Sequence, residues 1–107
     1  IAALCGTPYA VEARGAILAL EDVDEAPYDI DRQLAQLRLS GILADVHGVA
    51  VGDIPAREVV DAYLRNAQRP AVGTLPFGHI EDQYILPVGA TAELDTDEGT
   101  LRPLVTR

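Results

Sequence analysis

Methionine, tryptophan and lysine are absent from these 107 residues, while phenylalanine and cysteine occur once each. Serine also occurs once, as Ser40. Each scarcity excludes something. A single cysteine, Cys5, rules out an internal disulfide framework, fits a reducing compartment and has no zinc-binding pattern to join. Ser40 precedes Gly41 without the GxSxG pattern that exposes a nucleophile on a sharp turn. All 8 basic residues are arginine, set against 17 acidic ones for a net charge of −9. That balance repels phosphate backbones and anionic lipid surfaces, so neither nucleic acid nor membrane is an expected partner. No apolar run approaches the roughly 20 residues of a membrane span, and no basic-then-apolar leader opens the chain. The missing starting methionine, with Ile1-Ala2-Ala3-Leu4 reading as the end of a helix already under way, points to a piece of a longer protein.

What is present suits one globular domain over residues 1–107, with 49% apolar residues. Gly15 precedes the unbroken run Ala16-Ile17-Leu18-Ala19-Leu20, which has the length of a strand buried on both faces. The run stops at Glu21-Asp22-Val23-Asp24-Glu25, and Pro27 marks a loop. Ile30, Leu34 and Leu37 then recur at helical spacing, with Asp29 or Asp31 as the expected cap and Gly41 as the stop. Residues 42–51 read as a second apolar strand ending at Gly52. A second helix is expected from Asp53, with Pro55 in its first turn and Val59, Val60, Tyr63 and Leu64 on its apolar face. Short β segments follow over 71–74 and 84–89. A closing hairpin, 91–94 with 100–105, is joined by Asp95-Thr96-Asp97-Glu98-Gly99. The pattern βαβα followed by strands predicts a mixed α/β fold with its late strands gathered at the C-terminal end.

Two residues carry candidate chemistry. Glu21 ends a buried strand, where α/β proteins collect catalytic groups. His79 follows Gly78 in a loop after a strand, and an imidazole held by a carboxylate can accept a proton from a hydroxyl and return it to a leaving amine. A carboxylate at a strand end is more commonly a cap or a solvated residue. The 58 positions between the two give no contact by themselves. His47, inside an apolar run, reads as a hydrogen-bonded structural histidine, and the acidic run over 21–25 as a solvated loop. A metal site at His79-Ile80-Glu81-Asp82, with Asp22, Asp24 and Glu25 as further oxygen donors, lacks HExxH or paired-histidine spacing. The turn over 95–98 resembles part of a calcium loop without its 12-residue pattern. No cofactor motif is present. The chain has acid/base equipment and no convincing nucleophile.

The run over 15–38, including Leu20-Glu21-Asp22-Val23-Asp24-Glu25-Ala26-Pro27-Tyr28-Asp29-Ile30-Asp31-Arg32, closely resembles the C-terminal domain of the LD-carboxypeptidases. Leu4-Cys5-Gly6-Thr7-Pro8, the segment 48–52, Pro76-Phe77-Gly78-His79 and Leu86-Pro87-Val88-Gly89 match further family segments in the same order. The resemblance covers essentially the whole chain. It implies a small β/β/α domain of the swivelling type, packed against a flavodoxin-like N-terminal domain with the active site between them. The implied activity is a cytoplasmic serine peptidase that removes terminal D-alanine from recycled murein tetrapeptides. Glu21 and His79 would be the glutamate and histidine of a Ser-His-Glu triad, and the serine would belong to the N-terminal domain. This chain alone would therefore be inactive. Its partners would be the muropeptide substrate, its own N-terminal domain and, since family members are often homodimers, a second copy. Two rivals stand beside this reading: a microcin-immunity peptidase cleaving an aminoacyl-nucleotide amide, and a non-catalytic domain whose acidic loop binds a basic or metal-bearing partner.

Overall fold

The computed structural model describes residues 2–77 and 88–104. After a short 3-10 turn, Ala2–Leu4, the chain alternates strands and helices: β1 (Ile17–Leu20), α1 (Pro27–Leu39), α2 (Ile42–Asp45), β2 (Gly48–Val51), α3 (Arg57–Ala67) and β3 (Ala71–Val72). A hairpin of β4 (Ala92–Asp95) and β5 (Thr100–Pro103) follows. The first three strands form one parallel sheet in the order β1-β2-β3. Both crossovers step the same way across it, and α1 and α3 pack together on one face.

Register explains the core. Leu18 aligns with Val49 and Leu20 with Val51, and these residues join Ile30, Leu34, Leu37, Leu43, Val60 and Leu64 beneath the helices. All of β2 is buried, as its unbroken apolar sequence requires of a central parallel strand. On the opposite face Ala19, Ala50 and Val72 align. There Leu94 of β4 lies over Gly48, and Phe77 lies over Gly52. The hairpin pairs Glu93 with Arg102, whose side chains meet at 2.9 Å. At its turn the Asp95 carboxylate accepts the backbone N–H groups of Asp97 and Glu98 at 3.0 Å each, so this carboxylate holds a turn together.

Four local expectations need correction. The stretch 42–51 is not one strand: its first four residues form α2, which buries Ile42 and Leu43, and only 48–51 pairs in the sheet. Short apolar runs fit either structure, and here the tertiary core decides. His47 lies in the bend between these elements and is exposed, not embedded in a strand. Neither Asp29 nor Asp31 caps α1. The helix starts at Pro27 after an uncapped Ala26, while Asp29 pairs with Arg32 and Asp31 accepts the Tyr63 hydroxyl at 2.8 Å. Finally, α3 begins at Arg57 and not near Asp53, whose backbone is engaged at the sheet edge. The expected strand over 84–89 falls mostly outside the described residues.

Candidate active site

Chemistry in a parallel sheet gathers where the strands end, because the loops there are free to vary while the strands hold their start points. At this edge β1 runs into Glu21-Asp22, β2 into Gly52-Asp53, and β3 into 73–77. Backbone hydrogen bonds continue the sheet beyond its assigned strands. Gly52 N–H donates to Leu20 O at 2.9 Å, and Leu75 N–H to Val51 O at 2.9 Å. One step further out, Asp22 N–H donates to Asp53 O at 3.0 Å, and Asp53 N–H donates to Phe77 O at 2.9 Å. Asp53 therefore bridges the two outer loops with both of its peptide groups.

Glu21 stands at the first position after β1 and is exposed. The loop that follows is shaped locally. The Asp22 carboxylate accepts Val23 N–H at 2.8 Å, and Asp24 adopts a left-handed conformation with φ 56°. Glu21 and Asp22, with Leu20, Ile30, Gln33 and Leu34 among others, line a pocket of about 290 Å³. His79 lies outside the described residues, as do Glu81 and Asp82. Phe77, two positions before it, is buried against Gly52, where a Cβ would come within 2.6 Å of the Phe77 ring and carbonyl oxygen. Only glycine permits that approach.

Two contributors to this edge carry no sequence signal of the kind used for Glu21 and His79. Asp53 looks like a helix cap but acts through its backbone. Thr74 accepts an N–H of Arg57 at 3.0 Å, a contact across 17 residues. Among the described residues no group of three or more His, Cys, Asp and Glu is placed to hold a metal ion. Among them, too, no helix is long and apolar enough to cross a membrane.

Known proteins resemble this chain in fold and in sequence. The crystal structure of muramoyltetrapeptide carboxypeptidase from Oxalobacter formigenes superposes with a TM-score of 0.81 at 32% identity, covering 94% of this chain and 39% of that one. A Bacillus subtilis protein named as a probable murein peptide carboxypeptidase is 37% identical over an alignment that spans 89% of this chain and 34% of the relative. A Synechocystis protein named as a carboxypeptidase is 44% identical over an alignment that spans 90% of this chain and 36% of its own length. The chain thus spans about a third of the length of the curated relatives it matches. The family model described as the LD-carboxypeptidase C-terminal domain matches residues 1–94. Matched by that model over residues 1–94 and mixed α/β in fold, this chain belongs to the LD-carboxypeptidase C-terminal domain family.

Proposed function

We propose that this chain is the C-terminal domain, residues 1–107, of a cytoplasmic serine-type LD-carboxypeptidase that releases terminal D-alanine from murein tetrapeptides during peptidoglycan recycling. Glu21 and His79 are its contribution to a Ser-His-Glu triad, and a preceding domain supplies the serine and the oxyanion-hole donors. The observation that carries this reading is the backbone ladder from Asp22 through Asp53 to Phe77. Two strand spacings of about 4.8 Å separate the residue after Glu21 from the residue two before His79. Two residues of extended chain cover about 7 Å. These lengths support the reading, because they are compatible with a pairing of Glu21 and His79.

The chemistry follows from that pairing. His79 takes the serine proton as the oxygen attacks the carbonyl carbon before the D-alanine. It returns the proton to the amine as the C–N bond breaks, and water then releases the acyl group by the same route. Glu21 holds the imidazole in the correct tautomer and stabilises the imidazolium. The exposed Tyr9, Tyr28 and Leu39, 74–79% accessible, give the domain apolar surface for the preceding domain to cover.

The test is D-alanine release from a murein tetrapeptide by the full-length protein. Turnover is expected, with a loss on the order of 10⁶-fold in His79→Ala, and none from the isolated 107 residues. An intact tetrapeptide with the full-length protein, or near-normal turnover in His79→Ala, would overturn the reading.

A further inference from the structure

The pocket beside Glu21 is mixed in a way that selects a particular kind of guest. Seven of its ten lining residues are apolar, and the other three are Glu21, Asp22 and Gln33. Ile30, Leu34 and Leu37 bring the apolar face of α1 to it, each at most 4% exposed. Gln33 is the one polar residue that α1 adds to this lining, and it is half-buried. Its side-chain amide has no hydrogen-bond partner among the described residues. Asp22 is held from two sides. Its N–H donates to Asp53 O at 3.0 Å, and its Oδ1 accepts Val23 N–H at 2.8 Å. An ionised carboxylate has about four acceptor positions, so one such bond leaves capacity for a ligand.

We infer that this pocket is the subsite for the residue preceding the D-alanine, and that it selects an aliphatic side chain ending in an ammonium, as in a diamino acid. The inference rests on the reading of the chain as part of an LD-carboxypeptidase with Glu21 in its active site. Size comes first. At about 290 Å³ the pocket suits a single side chain, since whole small-molecule ligands occupy about 300–1,000 Å³. The methyl group of D-alanine would leave most of it to water. Chemistry then narrows the choice. The apolar lining gains from contact with a methylene stem. Two carboxylates in the lining repel an acidic group, and Asp22 offers an ammonium a charge-assisted hydrogen bond. Gln33 adds an amide oxygen as a second acceptor. A wholly apolar side chain of the same length would displace water from both groups without replacing its hydrogen bonds.

The test uses the full-length protein and two tetrapeptides alike except for the residue before D-alanine, lysine in one and norleucine in the other. Thermal melting confirms that each variant is folded. The parent is expected to favour the lysine peptide about 10- to 100-fold in kcat/KM, the span of one charge-assisted hydrogen bond. Asp22→Asn keeps an oxygen for Val23 N–H but removes the charge, so the preference should fall to within about threefold. Gln33→Leu should reduce it about 3- to 10-fold, and it decides the matter where Asp22→Asn does not fold. No D-alanine release from either peptide would overturn the peptidase reading and this inference with it. Release without preference in the parent, or a preference unchanged in folded Asp22→Asn or in Gln33→Leu, would overturn the subsite and leave the peptidase reading standing.

Discussion

Gly52→Ala is the most revealing single substitution in the sheet edge. The added Cβ would meet Phe77 Cδ2, Cε2 and O, each at 2.6 Å. Carbon atoms pack best at about 3.5–4.0 Å, so Phe77 must retreat by about 1 Å. The ring is 7% exposed and has little space to swing into. The carbonyl oxygen cannot retreat without stretching its 2.9 Å bond from Asp53 N–H. Overpacking of this kind costs about 1–3 kcal/mol, and a weakened hydrogen bond adds about 1 kcal/mol. The total of roughly 2–4 kcal/mol should lower the urea midpoint by about 1–2 M. A second variant isolates the cause. Phe77→Ala alone should cost about 3–5 kcal/mol, yet Gly52→Ala with Phe77→Ala should cost less than the sum by about 1 kcal/mol or more, because the ring clash is gone. A Gly52→Ala variant within about 0.5 kcal/mol of the parent, or a strictly additive pair, would refute the packing argument.

Other outcomes follow from the same contacts. Partial burial, together with the Asp31 carboxylate that accepts its hydroxyl, holds the Tyr63 phenol above its ordinary value, against a smaller opposing pull from Arg38. Because the folded state binds this proton more tightly, the associated stability is fully present below about pH 10 and is lost as pH rises through the raised value. Tyr63→Phe should remove that slope in pH-dependent urea unfolding and cost about 1 kcal/mol at neutral pH. Leu43→Ala, in the short helix α2 at 2% exposure, should cost about 2–5 kcal/mol. A surface-like cost below about 0.5 kcal/mol would show that α2 is not part of the core.

The sequence was most informative where one element answers to one physical constraint. The apolar run before Glu21 is a strand as its sequence suggests, though it lies at the edge of the sheet with only Leu18 fully buried and not covered on both faces, and the spacing of Ile30, Leu34 and Leu37 fits a single helical face. The hairpin announced itself through alternation and a turn rich in Asp and Gly. What stayed hidden depended on partners far along the chain. Asp53 and Pro55 look like a helix start, yet Asp53 is taken by Asp22 on one side and Phe77 on the other. Asp31 looks like a cap, but its partner Tyr63 lies 32 residues away. The apolar run over 42–51 contains no periodicity that separates a turn of helix from a strand. In the site, the strand-end position of Glu21 was legible from the apolar run that it follows. The clamp of Arg57 on Thr74 was not, since only the pairing of Arg57 with Asp61, four residues on, has a helical signature.

The central claim is that Glu21 and His79 work as a unit on one bond. The direct measurement is a double-mutant cycle in the full-length protein, following kcat/KM for D-alanine release in Glu21→Gln, His79→Ala and the pair. Groups that act together are strongly non-additive, so the pair should be no slower than His79→Ala by itself. Losses that multiply, or a Glu21→Gln variant with the turnover of the parent, would contradict the account.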